Sequence, residues 1–331
     1  MRSKGGAWVA VGISLLVPFA LGPANLSFWV FTGLAGLVAL GLVLLMGYTG
    51  QPSLGQAAFY GIGAYAVAIL TVRSHWAFFP AMLVGVSLAV AVAVVLGRII
   101  FRLQGHFLAL ATVSIGYIAN AVMSQSHLTG GAIGISGIPP LSLFGWSLPG
   151  WAYAWLVWLV LWAAMAVMAQ MLRGPGGYAL AGIRDDESAA AALGVRALPY
   201  KVQVFAISAG LAALAGTLYA PYVSYVAADP FSVAASVQFL LMASIGGIDN
   251  LWGAALGAVV VSGLTQGLTQ VSAVFPQLNP TLFELIIYGL LLVVIMVARP
   301  QGLLGGVRDR RRLRVGSSPG GADRAVEVSG K

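Results

Sequence analysis

The chain has 331 residues, of which 60% are hydrophobic and 8% charged, with 17 basic and 9 acidic side chains. Ordinary globular chains carry about 25% charged residues, so this charge cannot cover a soluble body of such length; a soluble enzyme is excluded and lipid must solvate most of the chain. The 43 glycines suit closely packed membrane helices, no alternation of polar and apolar positions marks a β-barrel, and the lack of cysteine removes disulfides, thiolate metal sites and cysteine nucleophiles.

At about 20 apolar residues per crossing, the sequence predicts an all-α polytopic membrane protein. Its ten spans fall near residues 7–22, 26–47, 54–72, 77–97, 105–125, 151–172, 199–222, 231–247, 251–272 and 281–298. Together they make one transmembrane domain over 1–306, followed by a basic tail, 307–331, whose composition predicts disorder. With a cytoplasmic N-terminus, Arg2, Lys4, Arg98, Arg102, Arg173, Arg184, Arg196, Lys201, Arg299 and the seven basic residues from Arg308 onward share one side. That is 16 of 17, with Arg73 alone opposite. Excess Lys and Arg marks the cytoplasmic face, which predicts both termini inside.

In the first segment, Arg2 and Lys4 before an apolar stretch also fit a cleavable signal peptide; a retained helix is the favoured reading. Between the second and third spans lies an uncharged polar cluster, Gly47-Tyr48-Thr49-Gly50-Gln51-Pro52-Ser53-Leu54-Gly55-Gln56. Downstream, Ser53, Gln56, Ala57, Tyr60, Gly61, Ala64 and Ala68 recur at helical spacing as a stripe that suits either helix packing or a polar route through the bundle. Gln266 and Gln270 form a second polar pair with the same two readings.

Residues 126–150 carry no Lys, Arg, Asp or Glu, and the run Leu128-Thr129-Gly130-Gly131 to Pro139-Pro140 is rich in small side chains. Such a segment either re-enters the protein from the outer face or lies flat across the bundle. The connection 173–198 predicts a short cytoplasmic helix at about 184–195. Asp185 or Asp186 suits its N-cap, Glu187 its dipole, the alanines its interior, and Gly194 its left-handed end. At that length it needs a surface to pack on, either the membrane domain or another protein.

The acids fall at predicted helix ends: Asp229 before Pro230, Asp249-Asn250 before the ninth span, and Glu284 in a Thr281-x-x-Glu capping box. None sits at the centre of a span, which argues against a proton-driven carrier. Gly134-Ile135-Ser136-Gly137 matches an intramembrane-protease serine pattern, but His75, His106 and His127 all precede it, Pro139-Pro140 blocks the helix that should follow, and the histidines lack metal-ligand spacing.

Gly47 to Tyr65, containing Tyr48-Thr49-Gly50-Gln51-Pro52-Ser53-Leu54-Gly55-Gln56, resembles the signature of permease subunits of branched-chain amino-acid ABC transporters. Thr129-Gly130-Gly131 to Pro139 resembles the outer segment of that family's M-type permease, Ile183 to Gly194 its cytoplasmic coupling segment, and Arg299 to Gly305 its closing motif. The resemblance implies contacts to an ATPase from Arg184, Asp185, Asp186, Glu187, Ala190, Ala191, Leu193 and Gly194. It also implies a translocation path past Gln51, Ser53, Gln56, Tyr60, Thr129, Gly130 and Gly131. No Gly-x-x-x-x-Gly-Lys-[Ser/Thr] loop is present, so the chain is expected not to be an enzyme and to bind no cofactor itself, with ATP and magnesium at partner subunits.

The implied partners are two cytoplasmic ATPases, a homologous second permease and an extracytoplasmic substrate-binding protein, with membrane lipid around them and no nucleic acid. The implied location is the inner (plasma) membrane of a prokaryote. Pro52 and Gln56 stand where the family commonly has leucine and histidine, Ala132-Ile133 where it often has a polar residue, and Gly194 follows Glu187 by seven positions rather than six. These departures bear on the substrate, leaving urea, short amides or another small polar solute as the alternative cargo, and a passive channel as the reading from another class.

Overall fold

The computed structural model describes residues 23–103, 106–143 and 146–274, together with positions 12, 14, 287–290, 293–294 and 302–303. Most of the expected first span, most of the last one with its Thr281 capping box, most of the closing motif and the basic tail lie outside the described residues.

Long apolar runs rich in Leu, Val and Ala produce helices here, broken where Gly, Pro or polar clusters interrupt them. In chain order these are α1 (Pro23–Thr49), α2 (Gln56–Val72), α3 (Phe78–Ile100), α4 (His106–Gln125), α5 (Gly150–Met171), α6 (Pro175–Asp185), α7 (Glu187–Ala192), α8 (Ala197–Val223), α9 (Val233–Gly246) and α10 (Leu251–Val274). Within the described residues, six stretches are long and apolar enough to cross a membrane: Asn25–Thr49, Phe78–Ile100, Phe107–Gln125, Gly150–Met171, Ala197–Val223 and Leu251–Leu268. The expected spans at 54–72 and 231–247 correspond to α2 and α9, apolar helices of only 17 and 14 residues.

α1, α2 and α8 form the buried centre, while α3 and α4 cover it with one face and expose Leu83, Leu88, Val95, Phe107, Leu110 and Ile118 on the other. An exposed apolar face of this kind belongs in lipid or against another subunit. The centre packs closely because two glycines lie opposite each other's backbone. A Cβ on Gly63 of α2 would collide with the Ala213 carbonyl of α8, and one on Gly216 of α8 with the Tyr60 carbonyl of α2. Without a side chain at either position, the two backbones approach as they do at small-residue membrane crossings.

Neighbouring contacts fix the directions of the helices. Tyr222 donates to Ser27 (2.9 Å), whereas Gly41 lies against Ser208, so α1 and α8 run antiparallel. Gly97 lies against Phe205 and Val202, and Gly36 against Leu161. Arg98 and Lys201 therefore share an end of the bundle with Thr49, Arg173 and Arg184, and Arg73 lies at the opposite end.

The segment 126–143 lies across that opposite end. Two 3₁₀ turns, His127–Thr129 and Gly131–Ile133, lead into β1 (Ile135–Ser136). β1 pairs antiparallel with β4 (Tyr225–Val226), just beyond α8, with Ile135 opposite Val226. β2 (Ser142–Leu143) and β3 (Trp146–Ser147) form a separate small pair. Arg73 donates to the His127 carbonyl (3.0 Å) and Tyr225 to that of Ile133 (2.6 Å). Ile135, Ile138 and Leu141 are buried anchors, while Leu128 and Ile133 face outward.

Candidate functional site

The polar cluster after α1 is a helix interruption inside the bundle. α1 passes Ser208 at Gly41 and continues to Thr49, a further advance of about 12 Å at helical rise. Gly50 turns with φ +67°, and residues 50–55 return without helix until Gln56 opens α2. There the Gln56 amide nitrogen donates to Ser208 Oγ (3.0 Å), level again with Gly41. Exposed N–H groups at a helix start in lipid need partners. Ser236 Oγ of α9 accepts from Ala57 N (3.0 Å), Thr112 Oγ1 of α4 from Leu54 N (3.2 Å), and Ser53 Oγ from Gly55 N (3.4 Å). Gln56 Oε1 is buried without a hydrogen-bond partner.

The same device occurs after α8. Like α1, α8 has 27 residues. The chain then returns through β4 and the 3₁₀ turn Asp229–Phe231, which contains Pro230, and the short α9 follows. Phe231 is fully buried and meets Tyr60 edge-on, with ring centroids 5.2 Å apart. Asn120 of α4 donates to the Ala228 carbonyl (2.8 Å) and holds this return. Two antiparallel long helices, each followed by a Pro-containing return and a short helix, thus bring the starts of α2 and α9 together at Ala57 and Ser236. Such paired broken helices are where membrane transporters place their solute.

Beside these starts, α1, α2, α9 and α10 line an open cavity of about 380 Å³. Tyr60 and Phe239 line it, with Phe28, Phe31 and Met242 completing an apolar wall. Thr32, Gln238, Ser262, Thr265 and Gln266 line it as well. Of the residues expected along a path, Tyr60 therefore lines this cavity, Ser53 and Gln56 are buried at the interruption, and Gln51 is half-buried in the return. Thr129, Gly130 and Gly131 sit apart, in the segment across the opposite end. The Thr129 hydroxyl is turned inward onto the carbonyls of Met123 (2.7 Å) and Ser126 (2.8 Å), and both glycines have positive φ. Of the predicted polar pair in α10, Gln266 reaches the cavity, while the side chain of Gln270 lies outside the described residues.

At the basic end, Pro175 starts α6, a helix absent from the sequence expectation although proline at a first helical position is a start signal. Gly177, Leu180 and Ile183 form its buried side. Arg184 and Asp185 close α6, and the predicted helix proper is α7, shorter than 184–195. The Asp186 carboxylate accepts from Ser188 N (2.8 Å) and Ala189 N (3.1 Å) as N-cap. At the other end, Gly194 (φ +84°) donates to the Ala191 carbonyl (2.9 Å) and Val195 to that of Ala190 (3.0 Å), a Schellman closure. Ala190 is buried, while Ala191 and Leu193 face solvent, Leu193 at 85% exposure.

Two ion pairs fasten this segment to the bundle. Glu187 meets Lys201 of α8 at 2.6 Å, with the lysine side chain 8% exposed and the glutamate 51%. Arg184 meets Asp249, in the turn between α9 and α10, at 2.5 Å and donates to the Gly47 carbonyl at the end of α1. A cation there satisfies an end carbonyl and complements the helix dipole. Neither pairing was legible beforehand, because Asp249 reads as a cap and Lys201 as a topology-setting charge. Asn250 does cap, accepting from Trp252 N (3.2 Å).

A polytopic helical membrane protein with broken helices in its centre and a short helix projecting from its basic end belongs to the class of membrane transport subunits. Residues 25–296 match the family described as branched-chain amino acid transport system / permease component, and the chain belongs to that family. It is 29% identical to the high-affinity branched-chain amino acid transport system permease protein LivM of Escherichia coli (strain K12), over 92% of this chain and 75% of that protein. Against the LivM protein of Salmonella typhimurium the identity is also 29%, over 93% and 76% of the two chains. The permease protein LivH of the same E. coli system is more distant, at 24% identity over 81% of this chain and 90% of its own. No solved structure matches the chain significantly.

Proposed function

We propose that the chain is a membrane-spanning subunit of an ATP-driven importer of branched-chain amino acids, multi-pass in the inner (plasma) membrane of a prokaryote. Ten spans, with both termini on the cytoplasmic side, fit the basic residues gathered at the α6–α7 end. Hydrolysis of ATP, with its magnesium, belongs to two cytoplasmic ATPase subunits. A second, homologous permease and an extracytoplasmic substrate-binding protein complete the assembly, and the bundle alternates between outward-open and inward-open states.

The observation that carries this reading is α7, a capped helix held against the bundle by ion pairs while Leu193 projects into solvent. In the proposed assembly this side chain enters a groove of the ATPase. Labelled leucine uptake into vesicles containing all partners tests the proposal. Leu193→Asp adds a charge where nothing in the chain packs. It is expected to leave the amount of folded protein unchanged, to strip the ATPase from the purified complex and to abolish uptake. Full retention of the ATPase and of uptake would defeat the assignment of α7. Wild-type uptake competed by urea or short amides but not by valine would defeat the substrate class.

A further inference from the structure

The cavity between α1, α2, α9 and α10 has a chemistry of its own. Phe28, Phe31, Phe239 and Met242 supply rings and a thioether to its lining, and uncharged polar groups stand among them on the same helices. The polar groups are braced: Gln238 donates from Nε2 to Thr265 Oγ1 (3.1 Å) and to the Tyr288 hydroxyl (3.4 Å), and those two hydroxyls are 2.7 Å apart. Braced amides and hydroxyls are wasted on an acyl chain, because polar groups facing hydrocarbon cost free energy without return. They suit a small solute with one apolar and one polar end.

At about 380 Å³ the volume falls in the range of small-molecule sites, which begins at about 300 Å³. Depth agrees as well. Tyr60 lies in the first turns of α2, and Gln238 and Phe239 in the second turn of α9, so the cavity opens beside the two helix interruptions.

We propose that this cavity is a transit site for the amino acid, with its branched aliphatic side chain against Phe28, Phe31, Phe239 and Met242 and its ammonium and carboxylate toward Gln238, Ser262 and Thr265. The inference rests on the importer reading above. Among the described residues no charged side chain lines the cavity, so there a zwitterion meets hydrogen-bonding groups rather than fixed charges and leaves readily, as a permease fed by a binding protein requires. The aromatic side chains disfavour a charged side chain, which would be desolvated against them.

Because the chain contains no cysteine, one introduced thiol is unique within it. Ser262→Cys in the complete transporter, reconstituted in vesicles, is probed with a water-soluble methanethiosulfonate, and modification of this chain is followed by mass. The thiol is expected to react, leucine-loaded binding protein with ATP to slow the reaction at least fivefold, and the modified transporter to lose at least nine-tenths of its uptake. A control thiol at Leu103, exposed just past α3 at the basic end, is expected to react and to show no protection. Cavity-filling by Phe239→Trp supplies a second readout, with uptake per ATP hydrolysed reduced at least fivefold while the ATPase stays bound.

Equal labelling with and without leucine, or labelling only by a membrane-soluble maleimide as in a lipid-filled groove, would overturn the transit site while wild-type uptake stands. Failure of the wild-type assembly to move any branched-chain amino acid would instead overturn the importer reading.

Discussion

Glu187 and Lys201 form a pair whose two ends should respond unequally to mutation. At 2.6 Å and an effective dielectric of about 20, the gross attraction is about 6 kcal/mol. Most of it is offset by burying the ammonium, whose side chain is only 8% exposed. Glu187→Gln leaves that ammonium buried without its counter-charge. Loss of a partner from a fully buried pair costs about 3–5 kcal/mol, and since Glu187 is half in solvent, about 1–3 kcal/mol is expected.

Lys201→Met instead removes the buried charge and leaves Glu187 free in water, at a cost below about 1 kcal/mol. The double variant should then melt close to Lys201→Met and above Glu187→Gln. Thermal melting of the detergent-solubilised protein, followed by loss of monomer, reads this order directly. Equal losses in the two single variants, or a double variant no better than Glu187→Gln, would refute a pair dominated by lysine burial. The double variant also separates two roles of Glu187: if the acid serves only to hold α7 in place, ATPase still copurifies, and if it also touches the ATPase, stability recovers and association does not.

Two further outcomes follow from the same packing. Arg184→Ala breaks a pair whose side chains are 37% and 32% exposed, so stability should change by about 1 kcal/mol or less, while leucine uptake falls at least tenfold with the ATPase still bound; unchanged uptake would remove Arg184 from the coupling route. Gly216→Val drives a side chain into the Tyr60 carbonyl and should cost at least the 1–3 kcal/mol typical of overpacking, seen as lost folded yield, whereas Gly263→Ala, with nothing within 4 Å of the new Cβ, should be harmless or gain about 0.5–1 kcal/mol of helix stability.

The long helices were legible because a stretch such as 26–47 contains nothing but apolar and small residues, and one periodicity decides its fate. α7 was legible for a different reason, since Asp186 and Gly194 carry the geometry of a helix start and end in their own side chains. The cavity was not. Phe28, Gln238 and Thr265 sit on three helices far apart in sequence, and each reads alone as an ordinary packing residue. The stripe from Ser53 to Tyr60 did mark the neighbourhood of the broken helix, yet it did not reveal that α2 starts inside the bundle, because 54–72 is apolar enough to pass for a complete span. Residue contents alone do not report depth; that came from Ser208 touching both Gly41 and Gln56.

That shared depth gives Arg184 its place in the mechanism. Its two bonds end on the Gly47 carbonyl and on Asp249. Gly47 is the last turn of α1, and the chain beyond it is the return that starts α2. Asp249 follows the end of α9. One guanidinium at the base of α7 thus ties the end of α1 to the end of α9, and Gly47 lies so close to the Ile248 carbonyl that these two ends are packed on each other. In the proposed importer, a displacement of α7 by the ATPase reaches the return that leads into α2, and α9 from its far end, through a few bonded groups at one end of the bundle. In that reading the driving force arrives mechanically, through two discrete contacts of one side chain rather than through a buried titratable relay.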